Sequence, residues 1–176
     1  MKALKNLAIG LGILVVLLLI VALFIPKNFS YEKSVTIKAP IDSVWNNVNS
    51  LTALDKWSPW NDYDPQMKKE MTGMDGTVGA MQSWESNIVG SGSQKIETIE
   101  RPTLLETQLN FYKPHKSYGK AYVKLVTEGS GTKATWGMTG HMPYPMNLLQ
   151  VFMNMDKMMG KDWDNGLSKL KKLSEK

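Results

Sequence analysis

Two histidines, His115 and His141, are the side chains of this 176-residue chain best suited to moving a proton near neutral pH. His115 follows Pro114 in a turn-rich stretch and reads as an exposed turn residue. His141 closes an alternating segment beside Met142 and is the one weak candidate for a catalytic acid or base. Asp62 and Asp64, with Asp55 upstream, are a possible hard-cation set. They lie in a Pro-containing loop without further ligand spacing and read as solvated acids. Asp162 and Asp164 flank Trp163 on a helical pattern, where residues so close in sequence point to different sides and form no dyad. Met153, Met155, Met158 and Met159 are thioethers of the kind that bind Cu(I). Only the last three share a face, and that face is also an apolar core stripe. Gly90-Ser-Gly-Ser93 has no Lys-Ser/Thr and helix behind it, so it reads as a hairpin turn and not a phosphate loop. The chain has no Cys, which removes thiol nucleophiles, disulfides and Cys-based metal sites together. No catalytic constellation emerges, and no metal or cofactor is expected.

The elements that would position these residues are mostly strands. Phe29 to Lys38 alternates, with Tyr31, Lys33, Val35 and Ile37 on one side. Pro40 stops this strand and starts a helix whose buried stripe is Val44, Trp45 and Val48. A second helical turn covers Thr52 to Lys56, and Trp57-Ser-Pro-Trp60 is an aromatic loop. Lys68–Thr72, Gly79–Ser86, Gly92–Glu100, Leu104–Phe111, Gly119–Glu128 and Lys133–His141 each read as strands. They are joined by Gly-, Pro- and Asn-rich turns too short for parallel crossovers. Pro143 and Pro145 end the sheet. From about Met146 to Ser174 apolar residues recur every three or four positions, which predicts one long helix, interrupted by Gly160 and Gly166. Each glycine costs about 1 kcal/mol relative to Ala in a helix interior, so close packing or a bend is expected there.

Leu7 to Ile25 is a run without charge, hydroxyl or amide. As a helix it spans about 28 Å, close to bilayer hydrocarbon thickness. A cleaved signal peptide is the competing reading, but the apolar run is long for one and no A-x-A pattern follows it. The expectation is a retained anchor over residues 1–27 and one soluble domain over 28–176, in a single-pass protein of a bacterial inner membrane. Lysines on both sides leave the orientation open, with an exported domain favoured.

The net charge of +5 is largely an effect of the anchor. Without Lys2, Lys5 and Lys27, the 21 basic residues become 18 against 16 acidic. Charges are mixed along the chain, so nucleic acid is not an expected partner.

Ser34-Val-Thr-Ile-Lys-Ala-Pro40 followed by Val44-Trp45, the Trp57–Trp60 segment, Trp84 with Gly90 and Gly92, and Gly160 to Leu170 together resemble the START-like (SRPBCC) superfamily, in its bacterial polyketide cyclase/dehydrase-type branch. The resemblance covers about residues 29–175. It implies an α+β helix-grip fold: a curved antiparallel sheet of six or seven strands wrapped on a long C-terminal helix, with two short helices after the first strand. It also implies a cavity between sheet and helix. Its candidate walls are Trp57, Trp60, Trp84, Phe111, Tyr112, Trp136, Met155, Met158 and Met159, and a lipid or other apolar small molecule is its expected occupant. The alternatives are a cyclase- or dehydratase-type enzyme working in the same pocket, with His141 or Tyr112 as its polar residue, and an interaction module with a filled core. The family label transfers no catalytic residue.

Overall fold

The computed structural model describes residues 1–176. An apolar helix α1 (Lys2–Ala22) precedes strand β1 (Asn28–Ile37) and three short helices, α2 (Ile41–Trp45), α3 (Leu51–Asp55) and α4 (Trp60–Tyr63). Six strands follow: β2 (Lys68–Thr72), β3 (Met81–Ser86), β4 (Gly90–Glu100), β5 (Leu104–Lys113), β6 (Ser117–Glu128) and β7 (Gly131–His141). A 3₁₀ helix (Met146–Val151) and helix α5 (Met155–Ser174) complete the chain. The strands form one sheet in the order β1-β7-β6-β5-β4-β3-β2, and the successive pairs from β2 to β7 are antiparallel. This is the expected helix-grip arrangement. The short β2, with Lys68, Lys69 and Glu70, forms one edge of the sheet and β1 the other.

Three expectations need correction. The aromatic loop ends in a third helical turn, α4. The long C-terminal helix is broken: Met146–Val151 is 3₁₀, and regular α-helix starts only at Met155. The apolar period runs through the break, but its two parts fall in different compact units. One unit comprises residues 1–29 and 141–154, the other 30–140 and 155–176. Gly90-Ser-Gly-Ser93 opens β4 and is not itself the turn; Gly90 has φ +80° and ends the hairpin connection.

In the smaller unit, the end of α1 is held by side chains and backbone from far along the sequence. Asn147, fully buried, donates from Nδ2 to the carbonyls of Ala22 (2.7 Å) and Ile25 (2.8 Å). Gln150 donates to the Pro26 carbonyl (3.1 Å), and the Met142 amide to that of Lys27 (2.7 Å). The last carbonyls of a helix have no partner within it; Asn147 supplies one to Ala22, and the other donors fasten the chain just past the helix. His141 lies here too, its Nδ1 2.8 Å from Asn28 Oδ1.

The core of the larger unit is built on α5. Trp163, Leu167 and Leu170 are buried along one stripe of that helix. Trp163 stacks on Trp136 of β7, ring centroids 4.3 Å apart and 15° from parallel. Its indole N–H donates to the Trp136 carbonyl at 3.0 Å. Outside this stripe α5 is tied to β1: Lys33 Nζ lies 2.7 Å from Asp164 and 3.0 Å from Asp156, and the Tyr31 hydroxyl donates to Asp156 (2.8 Å). Hydrogen bonds to Asp164 and Asp156 hold the Lys33 ammonium well above its ordinary pKa.

Gly166 explains one of the two helix glycines. A Cβ there would sit 2.7 Å from the Trp136 ring, which is clamped by Trp163 and cannot yield. Alanine would gain about 1 kcal/mol of helix propensity. Overpacking a tight core costs about 1–3 kcal/mol. Gly166→Ala is therefore expected to destabilise the protein by about 1 kcal/mol net, read as a lower urea midpoint of the full chain in detergent. A stabilised variant would show that the helix and β7 are not in tight contact.

Candidate functional site

Between the inner face of the sheet and α5 lies a cavity of about 290 Å³, at the lower end of the range of small-molecule sites. Five stretches of sequence meet to form its aromatic walls. Trp57, at the end of the α3 turn, is 1% exposed and donates its indole N–H to the Asn47 carbonyl at 3.0 Å. Its ring meets Trp136 edge-on at 4.9 Å. Trp60 opens α4 and lies edge-on to both Trp136 (5.6 Å) and Trp163 (6.0 Å). On the far side, Trp84 of β3 and Phe111 of β5 meet edge to face at 5.9 Å. Between them Gly92 of β4 pairs with both residues. Any Cβ at Gly92 would overlap the Trp84 ring, so glycine is what lets the two aromatics meet across the central strand.

Trp57, Trp60, Trp84, Phe111, Trp136 and Met159 all line the cavity. The other predicted residues do not. Tyr112 follows Phe111 on a strand and so faces the opposite side; it is 50% exposed and its hydroxyl meets Ser93 Oγ at 2.8 Å. Met158 lies about 100° around the helix from Met159 and is 59% exposed. Met155 is the first residue of α5, half-buried and outside the lining. His141 is also outside it.

A polar cluster in the cavity wall was not anticipated. Lys69 Nζ lies 2.6 Å from Asp55 Oδ1 and 2.7 Å from Asn61 Oδ1. Gln82 Nε2 donates to Asp55 Oδ2 at 2.8 Å, and Asn61 Nδ2 to the Asp55 carbonyl at 2.7 Å. The Lys69 and Asp55 side chains are 23% and 28% exposed, so this pair is much better shielded than an ordinary surface ion pair. Its parts come from α3, α4, β2 and β3, which no local spacing connects. Lys69 is the one half-buried residue of β2, where the strand's alternation turns it inwards. Asp62 and Asp64, read as loop acids, are instead tied down: Asp62 accepts from Lys169 (2.5 Å) and Asp64 from Ser86 Oγ (2.5 Å).

Helix α3 is only five residues long and carries Asp55 at its end, so its start must be fixed by other groups. Ser50 Oγ accepts from the Ala53 amide (3.1 Å), an N-cap. The Asp75 carboxylate accepts from the amides of Leu51 (2.9 Å), Thr52 (3.0 Å) and Gly76 (2.9 Å). Burial pushes the Asp75 carboxyl pKa up, but hydrogen bonds from Thr52, Leu51 and Gly76 outweigh it and hold the pKa below the usual Asp value.

The family model for polyketide cyclase / dehydrase and lipid transport proteins matches residues 28–175, and the chain belongs to that family. Among solved structures it resembles the protein Mll3558 of Rhizobium loti, with 16% identity, 83% of this chain and 96% of that one covered, and a TM-score of 0.61. It also resembles CV1439 of Chromobacterium violaceum, with 14% identity, coverage of 86% and 99%, and a TM-score of 0.59. A norcoclaurine synthase point mutant of Thalictrum flavum, in complex with a transition-state analogue, gives 14%, 84% and 94%, with a TM-score of 0.61. At these identities the likeness is one of fold. No curated protein matches the chain.

Because its folded pKa is depressed, the Asp75 carboxylate adds stability that is fully present above its unfolded value of about 3.9. That stability is lost as pH falls through the lower folded value. Asp75→Asn is expected to lower the thermal midpoint at neutral pH by an amount corresponding to about 1 kcal/mol. It should also flatten the acid limb of the stability profile below about pH 4. Parallel profiles for the two proteins would rule out this capping role.

Proposed function

We propose that this protein is a single-span membrane protein, anchored by residues 1–27, whose domain of residues 28–176 holds an apolar small molecule or lipid without transforming it. The observation that carries this reading is the cavity itself: an aromatic and aliphatic chamber with one shielded polar cluster. Apolar walls supply affinity, on the order of 25 cal/mol per Å² buried before ordering costs, and the few polar groups supply orientation. Lys69 has three N–H donors and spends two on Asp55 and Asn61. The third is available to a ligand carbonyl, ester or hydroxyl. The ammonium is already neutralised by Asp55, so an uncharged polar end fits better than a carboxylate, which would leave the cluster with net negative charge in a shielded wall.

The anchor reading draws support from length and composition. α1 is uncharged after Lys5 and long enough to cross a bilayer, as a signal sequence can also be. Retention is favoured because cleavage near Ala22 would remove partners of Asn147. The enzyme alternative no longer has support from His141 or Tyr112, neither of which lines the cavity. In that reading the proton-transfer groups would be Lys69 and Asp55. A filled-core interaction module is disfavoured by the open volume.

Native mass spectrometry of the full chain, extracted from its own membrane in mild detergent, is expected to give a discrete bound mass that leaves on denaturation. Leu109→Trp, which fills the cavity from β5, should abolish that mass and the binding of the neutral fluorophore N-phenyl-1-naphthylamine while the protein stays folded. An apo wild-type protein that also ignores the fluorophore would end the carrier reading. Turnover of a bound molecule that disappears in Lys69→Met would favour the enzyme.

A further inference from the structure

Residues 141–154 contain no Asp, Glu, Lys or Arg, in a chain that is 21% charged. Most of their large apolar side chains are turned outwards. Met146 is 54% exposed, Leu149 46%, Val151 63% and Phe152 75%, with Tyr144 at 40% beside them. The one buried residue of the 3₁₀ helix, Asn147, is polar. This inverts the pattern of a segment designed for water, and soluble monomers rarely display such a patch without a partner for it.

What that partner is follows from where the segment is fastened. Asn147, Gln150 and Met142 bind the carbonyls of Ala22, Ile25, Pro26 and Lys27, the end of the apolar helix and the chain just past it. Leu23 and Phe24, at the same level, are 66% and 83% exposed. The 21 residues of α1 extend about 31 Å, matching a hydrocarbon core of about 30 Å. The level of Ala22 to Lys27 is then the boundary between hydrocarbon and headgroups. Polar backbone at that depth needs protein partners, because water is scarce there. Asn147 serves the carbonyls of Ala22, in the helix, and Ile25, just past it. The segment's own turn bonds, Asn147 N–H to the Pro143 carbonyl (3.1 Å), Leu148 to Pro145 (3.1 Å) and Phe152 to Leu149 (3.0 Å), serve its backbone.

We propose that residues 144–152 are a second membrane element: an uncharged, interfacial 3₁₀ segment that lies in the headgroup region of the bilayer beside the end of α1. Met146, Leu149, Val151 and Phe152 enter the boundary of the acyl chains, and Tyr144 takes the interfacial position that aromatic residues with a polar end prefer. The inference rests on α1 being a retained span. The occupant of the patch is lipid rather than a second copy of the chain, because the patch continues the apolar surface of a helix that is itself sized for lipid.

The chain has no native Cys, so single labels can be placed without background. Leu14→Cys, Lys116→Cys, Leu149→Cys and Phe152→Cys, each carrying an environment-sensitive NBD dye, would be reconstituted as full-length protein in phosphatidylcholine vesicles. The dyes at 149 and 152 are expected to be blue-shifted, protected from aqueous iodide, and quenched most by nitroxide lipids labelled near the headgroup. The dye at 14 should be quenched by deep nitroxides, and the one at 116 by iodide alone. Dyes at 149 and 152 that behave like 116 while 14 remains deep would overturn the proposal and leave the span intact. A dye at 14 that is also open to iodide would overturn the span and the interfacial element with it.

Discussion

The stack of Trp136 on Trp163 is the contact on which the rest of the larger unit depends. It joins the last strand to the last helix, and each ring is then used again. Trp57 and Trp60 stand edge-on against the pair, and Tyr31 of β1 meets Trp163 edge-on at 5.5 Å. Aromatic pairs in such geometries add about 0.5–1.5 kcal/mol each beyond the area they bury. The larger effect is geometric. Rigid indoles cannot collapse onto one another as leucines would, so a sheet and a helix propped apart by them leave a space that the neighbouring side chains do not fill.

That space has a division of labour in its walls. The rings and the aliphatic residues near them supply surface without direction. Direction comes from the Lys69–Asp55 pair and the two amides that bind it. Such a pair adds little to stability, since desolvating both charges offsets much of their attraction. Its contribution is a fixed donor in an otherwise featureless chamber. The chain of dependence runs outward from there: Asp55 is aimed by α3, and α3 is started by Ser50 and by Asp75, a residue on the far side of β2 in sequence. The stability of the short helix and the placing of the polar cluster are therefore one problem.

The strands were legible because their signals are local. Alternation, Pro40 and the short hairpin connections each place an element within a few residues of where it lies. Aromatic lining was legible where one residue decides it, as at Trp84 or Trp136. It failed where adjacent residues were taken together: Phe111 and Tyr112 point to opposite faces of β5, and Met158 and Met159 are a quarter-turn or more apart on α5. The break before Met155 was hidden because apolar periodicity measures spacing and not what the apolar face is turned towards. Val151 and Phe152 extend the pattern of α5 in sequence while belonging to the unit that holds α1. The polar cluster was beyond reach for a different reason. Lys69, Asp55, Asn61 and Gln82 are brought together by the order of strands at one edge of the sheet, and no spacing encodes that.

The sheet is open, with β1 and β2 as its two edges. A domain tethered to a bilayer would meet its own copies in two dimensions, at a local concentration far above that of the same number of molecules in free solution. Exposed strand edges under such crowding are templates for pairing between chains. The five residues of β2 are short for a strand, and three of them are charged. β1 has Glu32, Lys33 and an ion-paired helix against it. Charge on these edges thus acts as a social constraint on the molecule, keeping neighbouring copies from joining into a continuous sheet.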